Sequence, residues 1–329
     1  MHRLLMVWIT LWVLPAWSND EPLLPDLSEP VKTKTREIEV LDPQELPENV
    51  RKLPSLVEKI QTERLAADNR HVLLPHRPNY VMPWTYQSRP DNREWDRLVD
   101  ELSEGERETL GNFDRVEAVF QLSIKYVLAE DFLGKNSALE VGYTNRSFWQ
   151  AYNSEISKPF RETNHEPELM LSIQPKHLDW VEYAGISLNH QSNGQTSSLS
   201  RSWNRIIVYG ASIVDSGLWY YRLWWRIPEE SQGDPFDPSD NDNPDIDDYM
   251  GPGELYYMHV NGNHHVTAMV RNNFNPDENR GALQLEWSFP FTKRLRGYVQ
   301  YFNGYGESLI DYDRYQERFG IGIQLSDWL

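Results

Sequence analysis

From Arg115 to its C-terminus the chain alternates apolar and polar residues with a period of two. Val116, Ala118, Phe120, Leu122, Ile124, Tyr126 and Leu128 interleave with Glu117, Gln121, Ser123 and Lys125. Successive side chains of a strand point to opposite faces, so this stretch predicts a strand with one apolar and one polar face. The pattern returns where Trp219, Tyr221, Leu223, Trp225 and Ile227 face away from Arg222 and Arg226. It returns again at Leu283, Leu285, Trp287 and Phe289, and near the end at Phe319, Ile321, Ile323 and Leu325. Turn residues between such segments give about eleven strands, and bacterial barrels usually close with an even number, so about twelve is expected. The predicted fold is all-β, an antiparallel transmembrane β-barrel over residues 115–329. A soluble β-sandwich alternates in the same way, but strands long enough to cross a membrane when tilted favour the barrel.

Upstream of Arg115 the pattern differs. Residues 19–114 are charged and rich in proline, with Pro22, Pro25, Pro30, Pro43, Pro47 and Pro54 early on. They predict an N-terminal periplasmic extension in which Trp95, Leu98, Val99 and Leu102 recur at helical spacing. Met1 to Ser18 reads as a secretory signal: Arg3, then the apolar run Leu4 to Leu14, then Ala16-Trp17-Ser18 as a cleavage site. Export combined with the absence of any later run of eighteen apolar residues leaves a closed barrel as the way to span a membrane.

Composition sharpens this picture. Hydrophobic residues make up 39% of the 329, and 13 Trp and 17 Tyr suit the interfacial girdles of a barrel. A net charge of -18 argues against nucleic acid as a partner. Much of that charge lies between Glu229 and Asp248, nine acidic residues with no Lys or Arg. Such a run reads as a solvated loop or, more sharply, as a cation site. The chain has no cysteine, which excludes disulfides and thiolate metal sites.

The candidate chemistry lies in Gly185–Val208, GISLNHQSNGQTSSLSRSWNRIIV. His190 and Ser192 are two apart and share a face with Leu188 and Ile186, so they continue a lipid-facing stripe. Polar residues on that wall cost free energy unless they sit near the interface or serve a function. If the strands on either side pair about Ser197, Asn204 lies opposite His190, within reach of a hydrogen bond. Ser192 would then be a nucleophile, His190 its general base and Asn204 the amide that orients the imidazole. Spacing alone does not separate this triad from polar residues at a strand-end turn. His264 and His265, adjacent on a strand, point to opposite faces and cannot share a metal.

Whole motifs decide more than spacing. H-x-S-N-G followed by S-R-S-W-N-R is similar to the catalytic signature of the outer-membrane phospholipase A family. NSEISKPFRETNHEPE (Asn153–Glu168), DNPDIDDYMG (Asp242–Gly251) and NGYGESLIDY (Asn303–Tyr312) resemble three further blocks of that family, in the same order. The likeness runs from about Pro75 to the C-terminus. It implies a twelve-stranded barrel in the outer membrane of a Gram-negative bacterium, active as a homodimer. It also implies calcium-dependent hydrolysis of phospholipid acyl esters, of A1, A2 and lysophospholipase type. By position, the Gly194 amide would stabilise the oxyanion. Calcium would be held by the Gln195 carbonyl, the Ser200 hydroxyl and the partner's Ser157, with Asp242 a further calcium-associated position. All are oxygen donors, as a hard cation requires. Gln195 replaces a common family Arg, Ser197 replaces a common acidic residue, and Trp328-Leu329 replaces the usual terminal aromatic. The alternative reading is a non-catalytic porin or structural barrel.

Overall fold

The outer wall of the long strands is mostly apolar, and most of their charged residues turn inward, the reverse of a soluble protein. The computed structural model describes residues 46, 48–67, 69, 71–90, 92, 112–156, 158–175, 181–195, 199–214, 217–229 and 241–328. Two-residue β1 (Leu74–Pro75) is followed by β2 (Asn79–Gln87), β3 (Val116–Glu130), β4 (Ser137–Trp149), β5 (Phe160–Ile173), β6 (Tyr183–Ser192) and β7 (Ser202–Val214). Then come β8 (Gly217–Arg226), β9 (Gly253–Asn261), β10 (His264–Asn272), β11 (Gly281–Pro290), β12 (Arg296–Gly304) and β13 (Gln316–Ser326). From β2 to β13 each strand pairs antiparallel with its chain neighbour, and β13 pairs back to β2. Twelve strands therefore close a barrel, as the alternation and the even-number rule anticipate.

The faces follow strand parity. Leu188 on β6 and Trp225 on β8 are 53% and 58% exposed on the outer wall, whereas Glu117, Arg161 and Arg318 are buried within. The lumen is not an open pore among the described residues. Arg318 pairs with Glu117 at 2.8 Å and with Glu307 at 2.8 Å, and Arg161 pairs with Glu117 at 3.0 Å and with Asp311. A second group joins Arg77, Arg205 and Arg222 to Glu166. Charges this deep persist only when paired and hydrogen-bonded, which these are. The packed lumen weighs against a porin.

The two ends differ. At one end only two residues of sequence separate β7 from β8 and β9 from β10, while at the other the longest stretches of sequence separate β2 from β3 and β8 from β9. At the short-turn end, helices α1 (Glu48–Arg51) and α2 (Pro54–Ala67) enter the barrel mouth. Proline opens α2, where its missing N–H costs nothing. Val50, Leu53, Leu56, Val57 and Ile60 pack on Ala211, Ile213, Leu218 and Met258. Lys59 Nζ donates to the Trp328 carbonyl at 2.7 Å, tying the helix to the chain's end. At the long-loop end, α3 (Ile246–Met250) sets Ile246 and Met250 against Trp203, Ile207, Trp224, Leu309 and Tyr312.

One expectation is corrected. The barrel begins at Asn79, not Arg115: β2 pairs with β13 and β3 inside the stretch assigned to an extension. Residues 88–115 consequently fall between β2 and β3 in chain order and not ahead of the first barrel strand. Alternation fails to reveal β2 because Pro83 interrupts it and the register shifts between Met82 and Thr85. The helical spacing at Trp95–Leu102 and the signal expected over Met1–Ser18 lie outside the described residues.

Candidate active site

The site is built on the β6–β7 hairpin at the long-loop end. His190 lies directly opposite Asn204, as pairing about Ser197 requires, and Ser192 lies opposite Ser202. Register is held from the lumen side. Trp203 Nε1 donates to Gln191 Oε1 at 2.8 Å, and Arg205 Nε donates to Asn189 Oδ1 at 3.0 Å. The Arg205 guanidinium also lies 3.9 Å from the centre of the Trp203 ring. These odd-numbered residues face inward, so by the period of two His190, Ser192 and Asn204 face outward beside exposed Leu188.

On that wall His190 Nδ1 and Asn204 Oδ1 are 2.9 Å apart. An amide oxygen only accepts, so Nδ1 carries the proton and Nε2 keeps its lone pair. Ser192 follows two residues on along the same face. Its hydroxyl is half-buried and makes no hydrogen bond among the described residues. Catalytic hydrogen bonds are often long before substrate binds, so this geometry is compatible with the pair. Across the other edge of β6, His165 of β5 stands opposite Ser192, with Nδ1 at 2.7 Å from the Tyr143 hydroxyl. Sequence reasoning missed this second imidazole because the two strands are far apart in the chain.

The following loop is stapled by Asn193, which is buried. Its Oδ1 accepts from Gln195 N at 3.2 Å and Arg201 N at 3.0 Å, and its Nδ2 donates to the Leu199 carbonyl at 2.8 Å. Gly194 takes φ +64, a left-handed conformation that disfavours a side chain. Ser200 Oγ donates to Asp242 Oδ2 at 2.7 Å, joining the hairpin loop to the acidic run. Ser200 and Asp242, 42 residues apart, thus meet side chain to side chain. Gln195 is exposed in the same loop, while Ser157 and Ser197 lie outside the described residues.

Two further residues complete the surroundings. Asn204 Nδ2 donates to Glu229 Oε1 at 2.7 Å. Arg226 approaches Glu229 at 3.4 Å and donates to Asn241 Oδ1 at 2.7 Å and to the Asn243 carbonyl at 3.0 Å. Neither Arg226 nor Glu229 stands out in the sequence as part of the site. Arg226 read only as the polar face of a strand, and Glu229 as the first member of the acidic run.

Comparison with known proteins agrees with the motifs. Residues 56–325 match the family model described as Phospholipase A1. A curated relative from Neisseria meningitidis serogroup B is 37% identical over 259 residues, 77% of this chain; the chain spans 65% of that protein's length. Outer membrane phospholipase A from Escherichia coli, solved as an active-site asparagine-to-alanine mutant, is 34% identical with a TM-score of 0.68. It aligns over 80% of this chain and 95% of its own. The Salmonella typhi outer membrane phospholipase dimer with bound calcium is 33% identical with a TM-score of 0.68, over 79% and 94% of the two chains.

Proposed function

Because this chain belongs to the phospholipase A1 family and forms an outer-membrane barrel, we propose that it hydrolyses phospholipid acyl esters with Ser192 as nucleophile. The observation that carries this is the 2.9 Å bond between His190 and Asn204 on the lipid-facing wall, with Ser192 beside it. His190 Nε2 removes the hydroxyl proton as Ser192 Oγ attacks the ester carbonyl, then returns it to the departing lysophospholipid oxygen. Water, activated by the same imidazole, cleaves the acyl-enzyme and releases fatty acid. The Gly194 N–H supports the oxyanion formed at each step. The resemblance to the family extends the proposal to esters at both acyl positions, A1 and A2, and to lysophospholipid.

The residues present fit calcium. The Gln195 carbonyl, the Ser200 hydroxyl and Asp242 offer hard oxygen ligands, and the 2.7 Å contact brings the last two together. Calcium, when bound, supplies positive charge next to the developing oxyanion. One chain provides fewer oxygens than the six to eight this ion takes, roughly half by the usual coordination. The partner's Ser157 would add another, so the active form is a homodimer, as in the calcium-bound Salmonella typhi structure.

The test is fatty-acid release from detergent-dispersed phospholipid, with and without calcium. Ser192→Ala and His190→Asn are expected to abolish release while leaving a heat-modifiable barrel. Release unchanged in Ser192→Ala would sink the assignment, and full activity in EDTA would remove calcium from it.

A further inference from the structure

Asn204 presents a problem that the triad alone does not solve. A primary amide is nearly symmetric in shape, and turning it over would offer His190 an N–H in place of an oxygen. An imidazole facing a donor accepts through Nδ1 and carries its proton on Nε2. That tautomer cannot deprotonate Ser192. In triads of this kind the wrong tautomer is costly even when the geometry survives. Something must hold the amide one way round.

We propose that Glu229 is the positioning residue that does so. The inference rests on the triad reading above and goes beyond it. Glu229 Oε1 receives the Asn204 Nδ2 donor at 2.7 Å, on the side of the amide away from His190. An ionised carboxylate only accepts, so it admits the NH₂ end of the amide and rejects the oxygen end. With Nδ2 committed to Glu229, Oδ1 faces His190 Nδ1 at 2.9 Å and Nε2 is left free for Ser192. The chain His190–Asn204–Glu229 also places a carboxylate one amide behind the imidazole.

Glu229 is held for this role. Its side chain is only 15% exposed, and the Arg226 guanidinium lies 3.4 Å from its other oxygen. The Ile227 N–H donates to the Asn204 carbonyl at 2.8 Å, extending the ladder from β7 to the residue two before Glu229. Arg226 binds the Asn241 side chain and the Asn243 carbonyl on either side of Asp242. One guanidinium therefore braces both the acceptor behind Asn204 and the loop that carries Asp242 to Ser200.

The experiment measures kcat and KM of the calcium-loaded protein on detergent-dispersed phospholipid. Glu229→Ala is expected to lower kcat about tenfold with KM within about twofold, the signature of a lost transition-state contribution and not of lost binding. The isosteric Glu229→Gln keeps the volume but offers a donor as well as an acceptor, and should lower kcat about threefold by the same logic. If the alanine variant fails the heat-modifiability check for folding, the glutamine variant decides alone. The second arm uses the Asn204→Asp background. A carboxylate presents oxygen whichever way it turns, so there Glu229→Ala should cost far less than tenfold. Wild-type kcat in both Glu229 variants overturns the proposal. So does an equal fold-loss in the two backgrounds, which marks a merely structural role. Ser192→Ala runs alongside: if it stays active, the triad reading itself has failed, whereas a dead Ser192→Ala with unaffected Glu229 variants removes only Glu229.

Discussion

At the scale of the residue, the site is a set of small polar groups whose backbones matter as much as their side chains. Gly194 illustrates this. A Cβ added there meets His165 Cδ2 no closer than 3.7 Å, so space is available, but φ +64 is costly for any other residue. Gly194→Ala should therefore destabilise the barrel by only about 1 kcal/mol, while re-aiming the amide lowers kcat by more than that stability loss explains. Thermal unfolding beside kcat separates the two. Ser200→Ala and Asp242→Asn should each raise the calcium concentration needed for half-maximal activity by about tenfold, the loss of one charge-assisted contact. A calcium titration of fatty-acid release reads this directly. The pairing of His190 with Asn204 was legible in the sequence because a period of two fixes faces and a mirror point fixes partners, whereas the chemical roles given to these residues and to Ser192 came from the motifs. Glu229 was not legible. It lies past the end of β8, where periodicity stops, and a run of nine carboxylates conceals the one that faces an amide.

At the scale of the element, the outward pair depends on inward staples. Gln191–Trp203 and Asn189–Arg205 sit on the lumen face, and a slip of one residue would turn His190 and Asn204 inward. Arg205 additionally pairs with Glu166 at 3.1 Å. Arg205→Ala should cost about 3 kcal/mol, as expected when one partner of a buried ion pair is removed. The resistance of the folded, heat-modifiable form to urea would show it; a cost near zero would mean that Arg77 and Arg222 fully replace Arg205 at Glu166. The motif blocks find their explanation here too. Glu162 Oε1 accepts the Ile310 N–H at 3.1 Å, and its Oε2 accepts from Asn193 Nδ2 at 3.3 Å. This single side chain links the NGYGESLIDY loop to the Asn193 staple of the β6–β7 loop. Strands with clean alternation announced themselves, whereas β2, bent at Pro83, did so only through its pairing.

At the scale of the whole molecule, the candidate site and the helices α1 and α2 occupy opposite ends. The long-loop end carries the site, and α1 and α2 fill the other mouth beside a cavity of 730 Å³ lined in part by Val50, Leu56, Ile60, Tyr209 and Leu218. Removing the chain up to residue 73 strips Val50 and Leu53 from that apolar cluster. Each fully buried side chain of this kind contributes about 2 kcal/mol. The truncated barrel should therefore unfold at lower temperature yet keep its kcat, and a large loss of kcat would show that the helices act on the site from across the barrel. The helices were not separable in sequence from the proline-rich arm around them, since their stability comes from the barrel wall they pack against.

The outward face of His190, Ser192 and Asn204 has a kinetic consequence for the proposed reaction. A nucleophile on the outer wall meets its ester by lateral encounter within an amphiphile layer, without the substrate first dissolving in water. Turnover should then follow the surface density of phospholipid, in two dimensions, and not its bulk concentration. Diluting phospholipid with inert detergent inside each micelle, at constant total phospholipid, should slow the enzyme in proportion to the mole fraction lost. Adding more micelles of the same composition should leave the saturated rate unchanged.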